Sequence, residues 1–310
     1  MTRASGVAGE SEGASVAVIG PGAIGSAAAA AIQRAGRHRL VVCGRRDHGR
    51  IRVDDDTAGS SVTVDAPFLT SASQVTAPVD WVLLAVKAHQ TEGAGTFLSA
   101  LCGPGTRVAV LQNGVEHRQR VEPLVVASGA EVLPVIVWIS AEQTEPGVVR
   151  VRGEVTPRLQ VPAGTLGQEF GDLLRGGPIA VEPVEDFTTA VWMKLTTNAI
   201  GGLMAATGRR ASVFQRDDVD ALARELAREC LAVARAEGAS FGEGVADTLV
   251  DHFVKMPPDT GSSILFDRLA GRALEWDARN GVIRRLGRAH GIRTPVSDVL
   301  VPLLAAASDG

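Results

Sequence analysis

Three glycines, Gly20, Gly22 and Gly25, stand in the run Gly20-Pro21-Gly22-Ala23-Ile24-Gly25, directly after the apolar stretch Val16–Ile19. Glycines at these offsets give a tight strand-to-helix turn, let the backbone approach a pyrophosphate closely, and let the helix pack close on the strand. The alanine-rich segment Ala23–Ala35 is a strong helix former, and its first amides and its dipole would face the phosphates. Gly36 ends that helix, and a second apolar run, Leu40–Cys43, leads to Gly44, Arg45 and Arg46. About 20 residues past the last glycine, an NAD-binding chain usually carries an acidic side chain for the ribose; two arginines suit a 2′-phosphate instead. The turn therefore reads as a site for NADP(H).

A second piece of chemistry lies far along the chain. Lys194 stands in AVWMKLTTNA (Ala190–Ala199), a mainly apolar helical run, with Asn198 four residues on and hence on the same face. An unpaired lysine is expensive to bury. Placed across a cleft from a dinucleotide, it is the leading candidate for a proton donor to a reacting oxygen. The same lysine also reads as a snorkelling side chain on a helix surface, and the run alone does not separate the two. The chain has no tyrosine, which excludes a tyrosine proton donor.

Hydrophobic patterning predicts the elements that hold these residues. Asp80–Lys87 and Arg107–Gln112 read as buried parallel strands with the helical stretch Ala88–Cys102 between them, and Val132–Ile139 extends the sheet. Val148–Arg152 and Arg158–Val161, separated by Gly153–Pro157, read as an antiparallel hairpin, and Ile179–Pro183 as a last strand. Apolar residues then recur at three and four, predicting helices at Phe187–Thr207, Asp217–Glu237, Gly242–Lys255, Ser263–Arg279 joined to Val282–Ala289, and Val296–Ala306. Met256–Ser262 is a loop. The expected fold is α/β: an N-terminal Rossmann-type doubly wound sheet over 15–183, then an all-helical domain over 184–310, with 1–14 as a disordered lead-in.

At 310 residues the chain can build two cores. A net charge of −4 with scattered lysines and arginines offers no basic footprint for nucleic acid. The longest apolar runs, such as Val132–Ile139, fall well short of the roughly 20 residues that span a bilayer. Met1–Ala14 lacks the apolar core of a secretory signal, so a cytoplasmic protein without membrane partners is expected. Cys43, Cys102 and Cys230 have neither disulfide-framework nor metal spacing and read as buried thiols, and the histidines His89, His117, His252 and His290 read as structural, so no metal is expected.

The glycine turn, AVKAHQ (Ala85–Gln90), QNGV (Gln112–Val115), WMKLTTN (Trp192–Asn198), SSILFD (Ser262–Asp267) and LEWDARNGVIRRLGRAHGIRTP (Leu274–Pro295) occur in the order and approximate spacing of the ketopantoate reductase family, part of the 6-phosphogluconate dehydrogenase-like superfamily. The chain resembles that family over nearly its whole length after Ala14. The resemblance implies NADPH and a 2-keto acid meeting between the two domains, and reduction of 2-dehydropantoate to pantoate. It makes Lys194 the general acid and Glu275 a cleft glutamate that can orient the lysine and accept from a substrate hydroxyl. It makes Ser263 the holder of the substrate carboxylate, Asn198 a substrate-binding amide, and Asn113 an amide near the nicotinamide and the carbonyl. Arg45 matches the 2′-phosphate arginine with Arg46 beside it, and Lys87 and Gln90 match positions near the adenosine end. Without the resemblance, Glu275 is an ordinary helix-surface glutamate, Ser263 a cap, Asn113-Gly114 a turn, and Asp267 and Asp277 solvated or helix-pairing residues.

One departure stands out. The family usually continues past the first asparagine to a second asparagine followed by proline, a substrate-contacting position; here that place falls at Gly201-Gly202. Reduction is thereby better supported than the specific substrate, and a different 2-keto or 3-hydroxy acid on the same scaffold stays open. The reading from another class is a non-catalytic NADP(H)-binding redox sensor, which would not need Lys194, Asn198, Ser263 and Glu275 together. The expected partner is a small 2-keto acid; a monomer and a homodimer are both open.

Overall fold

The computed structural model describes residues 13–309 apart from 48, 57 and 154–157. Residues 1–12 of the expected lead-in over 1–14, and residues 154–157 of the Gly153–Pro157 turn, lie outside the described residues. In chain order the first part runs β1 (Ser15–Ile19), α1 (Ala23–Ala35), β2 (Arg39–Cys43), β3 (Ile51–Asp55), β4 (Ser60–Val64), β5 (Phe68–Leu69), β6 (Trp81–Leu84), α2 (Gly95–Leu101), β7 (Arg107–Val110), α3 (His117–Val125), β8 (Glu131–Pro134), β9 (Ile136–Val137), β10 (Ser140–Glu145), β11 (Val148–Arg152), β12 (Leu159–Pro162), α4 (Thr165–Leu174) and β13 (Val181–Val184). Helices follow: α5 (Phe187–Thr207), α6 (Asp217–Ala236), α7 (Val245–Lys255), α8 (Ser263–Leu269), a π-helical turn Asp277–Gly281, α9 (Val282–Ala289) and α10 (Pro295–Ser308).

Strands that are apolar on both faces must be covered twice. Six of them form a wholly parallel sheet in the order β5-β2-β1-β6-β7-β8. Val16, Val18, Trp81, Leu83 and Ala109 face a core shared with α1 and α4. Their neighbours Ala17, Ile19, Val82, Leu84, Val108 and Val110 face the other side, against α2 and α3. This is the doubly wound Rossmann-type arrangement, and it opens at the carboxyl ends of β1, β6 and β7, where ligands of such sheets bind.

Sequence patterning did not single out β3, β4 and β5, and the first two of these explain the composition of α1. A second sheet, in the order β10-β11-β3-β4, places Ile51, Val53, Val64, Val149 and Val151 in the same core as the helix. Helix α1 therefore lies between two sheets, and Ala27, Ala28, Ala29, Ala30 and Ala31 are all buried. Alanine suits a helix buried all round, because a larger side chain on either face would push a sheet away.

Several expectations are corrected. Val148–Arg152 does not form a hairpin with Arg158–Val161: β11 pairs antiparallel with β10 across Gly147 (φ 77°), and β12 joins a separate sheet with β13 and β9. The run Val132–Ile139 splits into β8 and β9 after Pro134, which has no amide to donate. The last strand sits at Val181–Val184, two residues later at its start than expected. The helix expected over Ser263–Arg279 stops at Leu269, with Gly271 at φ 60°, and that over Gly242–Lys255 starts at Val245 after Gly244 at φ 76°. Cys43, Cys102 and Cys230 are buried free thiols, and burial pushes them up to about 12, 11 and 12 respectively.

Helix α5 is the hub of the helical part. Ile200, Leu203 and Met204 pack with Leu226 and Leu231 of α6, Ile264 and Leu265 of α8, and Leu300 and Leu304 of α10. Nearer its start, Val191, Trp192, Leu195 and Ala199 pack with Ile136 of β9 and with Val282 and Ile283 of α9. The lysine-bearing segment is thus seated against the strands.

Ala29→Leu tests the two-sided burial of α1, since Ala29 is 0% exposed. The expected loss is about 1–3 kcal/mol, read as an earlier urea midpoint; an unchanged midpoint would show that no sheet presses on that face.

Candidate active site

The glycine turn is held by its own backbone. Gly20 (φ 91°) donates its amide to Cys43 O at 2.9 Å, and a Cβ on it would lie 2.6 Å from Val86. A Cβ on Gly25 would lie 2.1 Å from Gly20 O, so α1 can meet β1 this closely only with glycine there. Pro21 packs over Gly44, whose imagined Cβ is 2.9 Å from the proline ring. Gly22, by contrast, faces open space. The first intrahelical bond is Ser26 N to Gly22 O, so the amides of Ala23, Ile24 and Gly25 emerge at the helix start without helical acceptors. Arg45 and Arg46 are exposed just past β2, and among the described residues neither is paired. An open cradle, free amides and two unpaired cations fit a phosphorylated dinucleotide.

The loop after β6 carries Lys87 and Gln90, and the loop after β7 carries Asn113. Lys87 pairs with Asp267 at 2.6 Å and reaches Ala273 O at 3.4 Å, so it bridges the sheet edge to the helical part; Asp267, expected to be solvated or helix-pairing, also pairs with Arg272. Gln90 is half-buried in the 3-10 turn Ala88–Gln90. The Asn113 turn is pinned from behind. Gln112 donates to Val86 O and to Thr91 at 3.0 Å each, His117 Nε2 meets Gln112 O at 2.9 Å, and Arg120 donates to Asn113 O at 3.0 Å. Burial lowers His117 to about 4, so it is neutral at physiological pH.

From the helical side come Lys194 and Asn198 on α5, Ser263 at the start of α8, and Glu275 just before the π-helical turn. Four candidate residues and two further groups join in one hydrogen-bonded chain. Glu275 accepts from Ala88 N and from Asn113 Nδ2, both at 3.0 Å. Asn198 Nδ2 donates to Asn113 Oδ1 at 3.1 Å. Arg279 Nη2 reaches Asn198 O and Oδ1 at 3.3 Å, and its Nη1 donates to Ser263 Oγ at 2.9 Å. The cap expected of Ser263 is performed by Ser262, which accepts from Leu265 N and leaves Ser263 free to take the guanidinium.

Lys194 stands beside this chain, half-buried, with its ammonium 4.1 Å from the ring centroid of Trp138. Among the described residues it has no carboxylate within ion-pair distance, so Glu275 does not orient it directly as expected. Burial, and then the positive charge of Arg279, lower its pKa to about 7. An amine at that value gives up a proton at neutral pH, which an ordinary lysine does not.

Arg279 escaped the sequence reading, although helical spacing offered a signal: it precedes the buried Val282 and Ile283 by three and four residues. The π-helical turn sends consecutive side chains to α5, Arg279 to Asn198 and Asn280 to Ala199 O at 3.1 Å. At the departure site, a Cβ on Gly202 would lie 2.7 Å from Asn280 Oδ1, so the Asn280 amide fills the volume that a side chain at 202 would need.

Among the described residues no cluster of three or more metal-ligating side chains occurs, and no helix is long and apolar enough to cross a membrane. Residues 16–163 match the family Ketopantoate reductase PanE/ApbA, and 186–308 its C-terminal counterpart. The chain is 50% identical over 295 residues to the 2-dehydropantoate 2-reductase of Mycobacterium tuberculosis strain H37Rv, covering 95% of this chain and 98% of that protein. It is 40% identical over 295 residues to that of Caulobacter vibrioides, covering 95% and 99%. A PanE/ApbA family ketopantoate reductase structure from Ralstonia eutropha JMP134 superposes with a TM-score of 0.85 at 29% identity, covering 95% and 98% of the two chains. The dimeric ketopantoate reductase of Staphylococcus aureus superposes at 0.82 with 26% identity, covering 95% and 99%. With both parts matched and half its residues shared with one such reductase along almost the full length, the chain belongs to the ketopantoate reductase family of oxidoreductases.

Proposed function

We propose that the chain reduces 2-dehydropantoate to pantoate with NADPH, Lys194 acting as general acid. The carrying observation is the near-neutral Lys194 amine beside the Glu275–Asn113–Asn198 relay at the carboxyl edge of the sheet. The turn Gly20–Gly25 would hold the cofactor's pyrophosphate, Arg45 and Arg46 its 2′-phosphate, and Lys87 and Gln90 its adenosine end. When bound, NADPH supplies the hydride for the keto carbon. Negative charge then builds on the keto oxygen, and Lys194 stabilises it and delivers a proton from Nζ. Asn113 and Asn198 set the orientation of the carbonyl. Glu275 positions Asn113 through one oxygen, and its remaining lone pairs suit a substrate hydroxyl. In this reading the cofactor unit spans 15–183 and the substrate unit 184–310, meeting near Val184. A homodimer is the assembly to test first, by comparison with the dimeric Staphylococcus aureus relative.

A second reading, a different 2-keto or 3-hydroxy acid, is favoured by one observation, the absence of a side chain at Gly202. A site that lacks a polar group for a substrate hydroxyl discriminates less in favour of that hydroxyl. NADPH oxidation followed by absorbance, with 2-dehydropantoate beside a panel of other keto acids, separates the two. Fast turnover of 2-dehydropantoate supports the first, and turnover confined to another acid replaces it with the second.

Three outcomes follow from the assigned roles. Lys194→Ala should lower kcat by about 10² or more while NADPH still binds; near-normal kcat would remove Lys194 from the mechanism. Since the acid form of Lys194 is lost as pH rises through about 7, kcat/KM should fall above that value, by about tenfold per pH unit, and Lys194→Ala should erase that limb of the profile. Arg45→Ala should raise KM for NADPH by about 10- to 100-fold and leave KM for NADH nearly unchanged; equal effects on both cofactors would place the 2′-phosphate elsewhere.

A further inference from the structure

Arg279 is 2% exposed and carries a charge that it cannot shed. Among the described residues no carboxylate lies within ion-pair distance of it. Nearby Glu275 is engaged by Ala88 and Asn113, and Asp267 by Lys87 and Arg272. Its Nε is buried without a partner, and its two bonds to Asn198 are long, at 3.3 Å. A buried guanidinium held only by neutral groups is costly to keep. The guanidinium meets the surface through Ser263, which is exposed and takes the Arg279 Nη1 bond, so an anion that would repay the charge can be met there. A Cβ at Gly201 would stand 3.7 Å from Nη2, so glycine there leaves the α5 face bare beside the guanidinium.

We propose that Arg279 anchors the substrate's carboxylate, together with Ser263, while Lys194 meets the neighbouring keto oxygen. The inference rests on the reductase reading above and deepens it by naming the group that selects 2-keto acids. A guanidinium offers a carboxylate two parallel donors, which fixes its direction as well as its position. The two cations then match the two adjacent oxygen-bearing carbons of a 2-keto acid, one for the carboxylate and one for the carbonyl. Where the family's usual second amide is missing from α5, a charged group is delivered from the facing π-helical turn.

The test compares 2-dehydropantoate with its carboxamide, in which a neutral amide replaces the carboxylate, in wild type, Arg279→Met and Arg279→Lys with NADPH. Wild type should prefer the acid strongly. Arg279→Met should raise KM for the acid about 10- to 100-fold, far more than it lowers kcat, and should bring acid and amide close to parity. Arg279→Lys should keep part of the preference, and KM for NADPH should stay put in both variants. A variant that retains the wild-type preference, or that loses kcat at unchanged KM, overturns the proposal. NADPH binding and melting temperature report folding, and should Arg279→Met fail to fold, Arg279→Lys and Ser263→Ala decide by the same KM shift. A wild type inert toward 2-dehydropantoate would overturn the functional reading instead; the acid and amide of whichever keto acid it does reduce would then decide the role of Arg279.

Discussion

Two like charges held close together in a poorly solvated place set the terms for everything around them. Arg279 keeps its proton under any condition the protein meets, and burial first, with that neighbouring charge second, brings the Lys194 pKa down to about 7. That lowering survives only if no carboxylate touches the amine, because a contacting acid would restore the lysine to its ordinary range. The surroundings obey this. The groups that bond Arg279 are neutral, Asn198 and Ser263, and the site's carboxylate, Glu275, is held one amide further away behind Asn113.

The fold supplies that spacing through a single side chain. Asn113 gives an amide hydrogen to Glu275 and takes a bond from Asn198, so a loop of the parallel sheet sets the register between α5 and the segment entering the π-helical turn. The loop can do so because it is rigid. Gln112 is tied to the β6 loop, and the neutral ring of buried His117 holds its carbonyl. The Lys87–Asp267 pair fastens the same edge a second time. On the opposite side of the sheet, the alanine face of α1 lets the second sheet close over the helix that begins at the glycine turn.

What was legible in the sequence was local or strongly periodic. The β1-α1-β2 unit could be read because every feature of it, strand, glycines, helix and arginines, lies within about thirty consecutive residues. Lys194 could be read because a lone cation in a long apolar helix is conspicuous. The misread hairpin shows the limit: Val148–Arg152 and Arg158–Val161 look like partners by proximity, but the first pairs with the preceding β10 and the distant β3, and the second with β13 and β9. The short strands β3 and β4 hide behind polar residues, with Arg52 and Asp54 on one and Ser61 and Thr63 on the other at the less buried positions, and Asp55 polar although buried. Glu275 finds Asn113 at a separation of 162 residues, which no spacing rule reaches. Arg279 was lost to a π-helical turn, because its extra residue per turn brings two adjacent side chains to α5 where an α-helix would present one.

The indole beneath Lys194 gives the molecule an optical property. Trp138 is fixed in place by its Nε1 bond to Gln160 at 2.9 Å, and the lysine nitrogen lies 4.1 Å from its ring centroid. A charge so near a π face shifts the electronic distribution of that ring, and the shift disappears when the amine becomes neutral or is drawn toward another atom. Trp81 carries a comparable cation, Arg107 at 5.7 Å, but a guanidinium stays charged throughout and contributes a constant background. Of the chain's four tryptophans, Trp138 therefore reports the state of the amine through its own fluorescence, without any label.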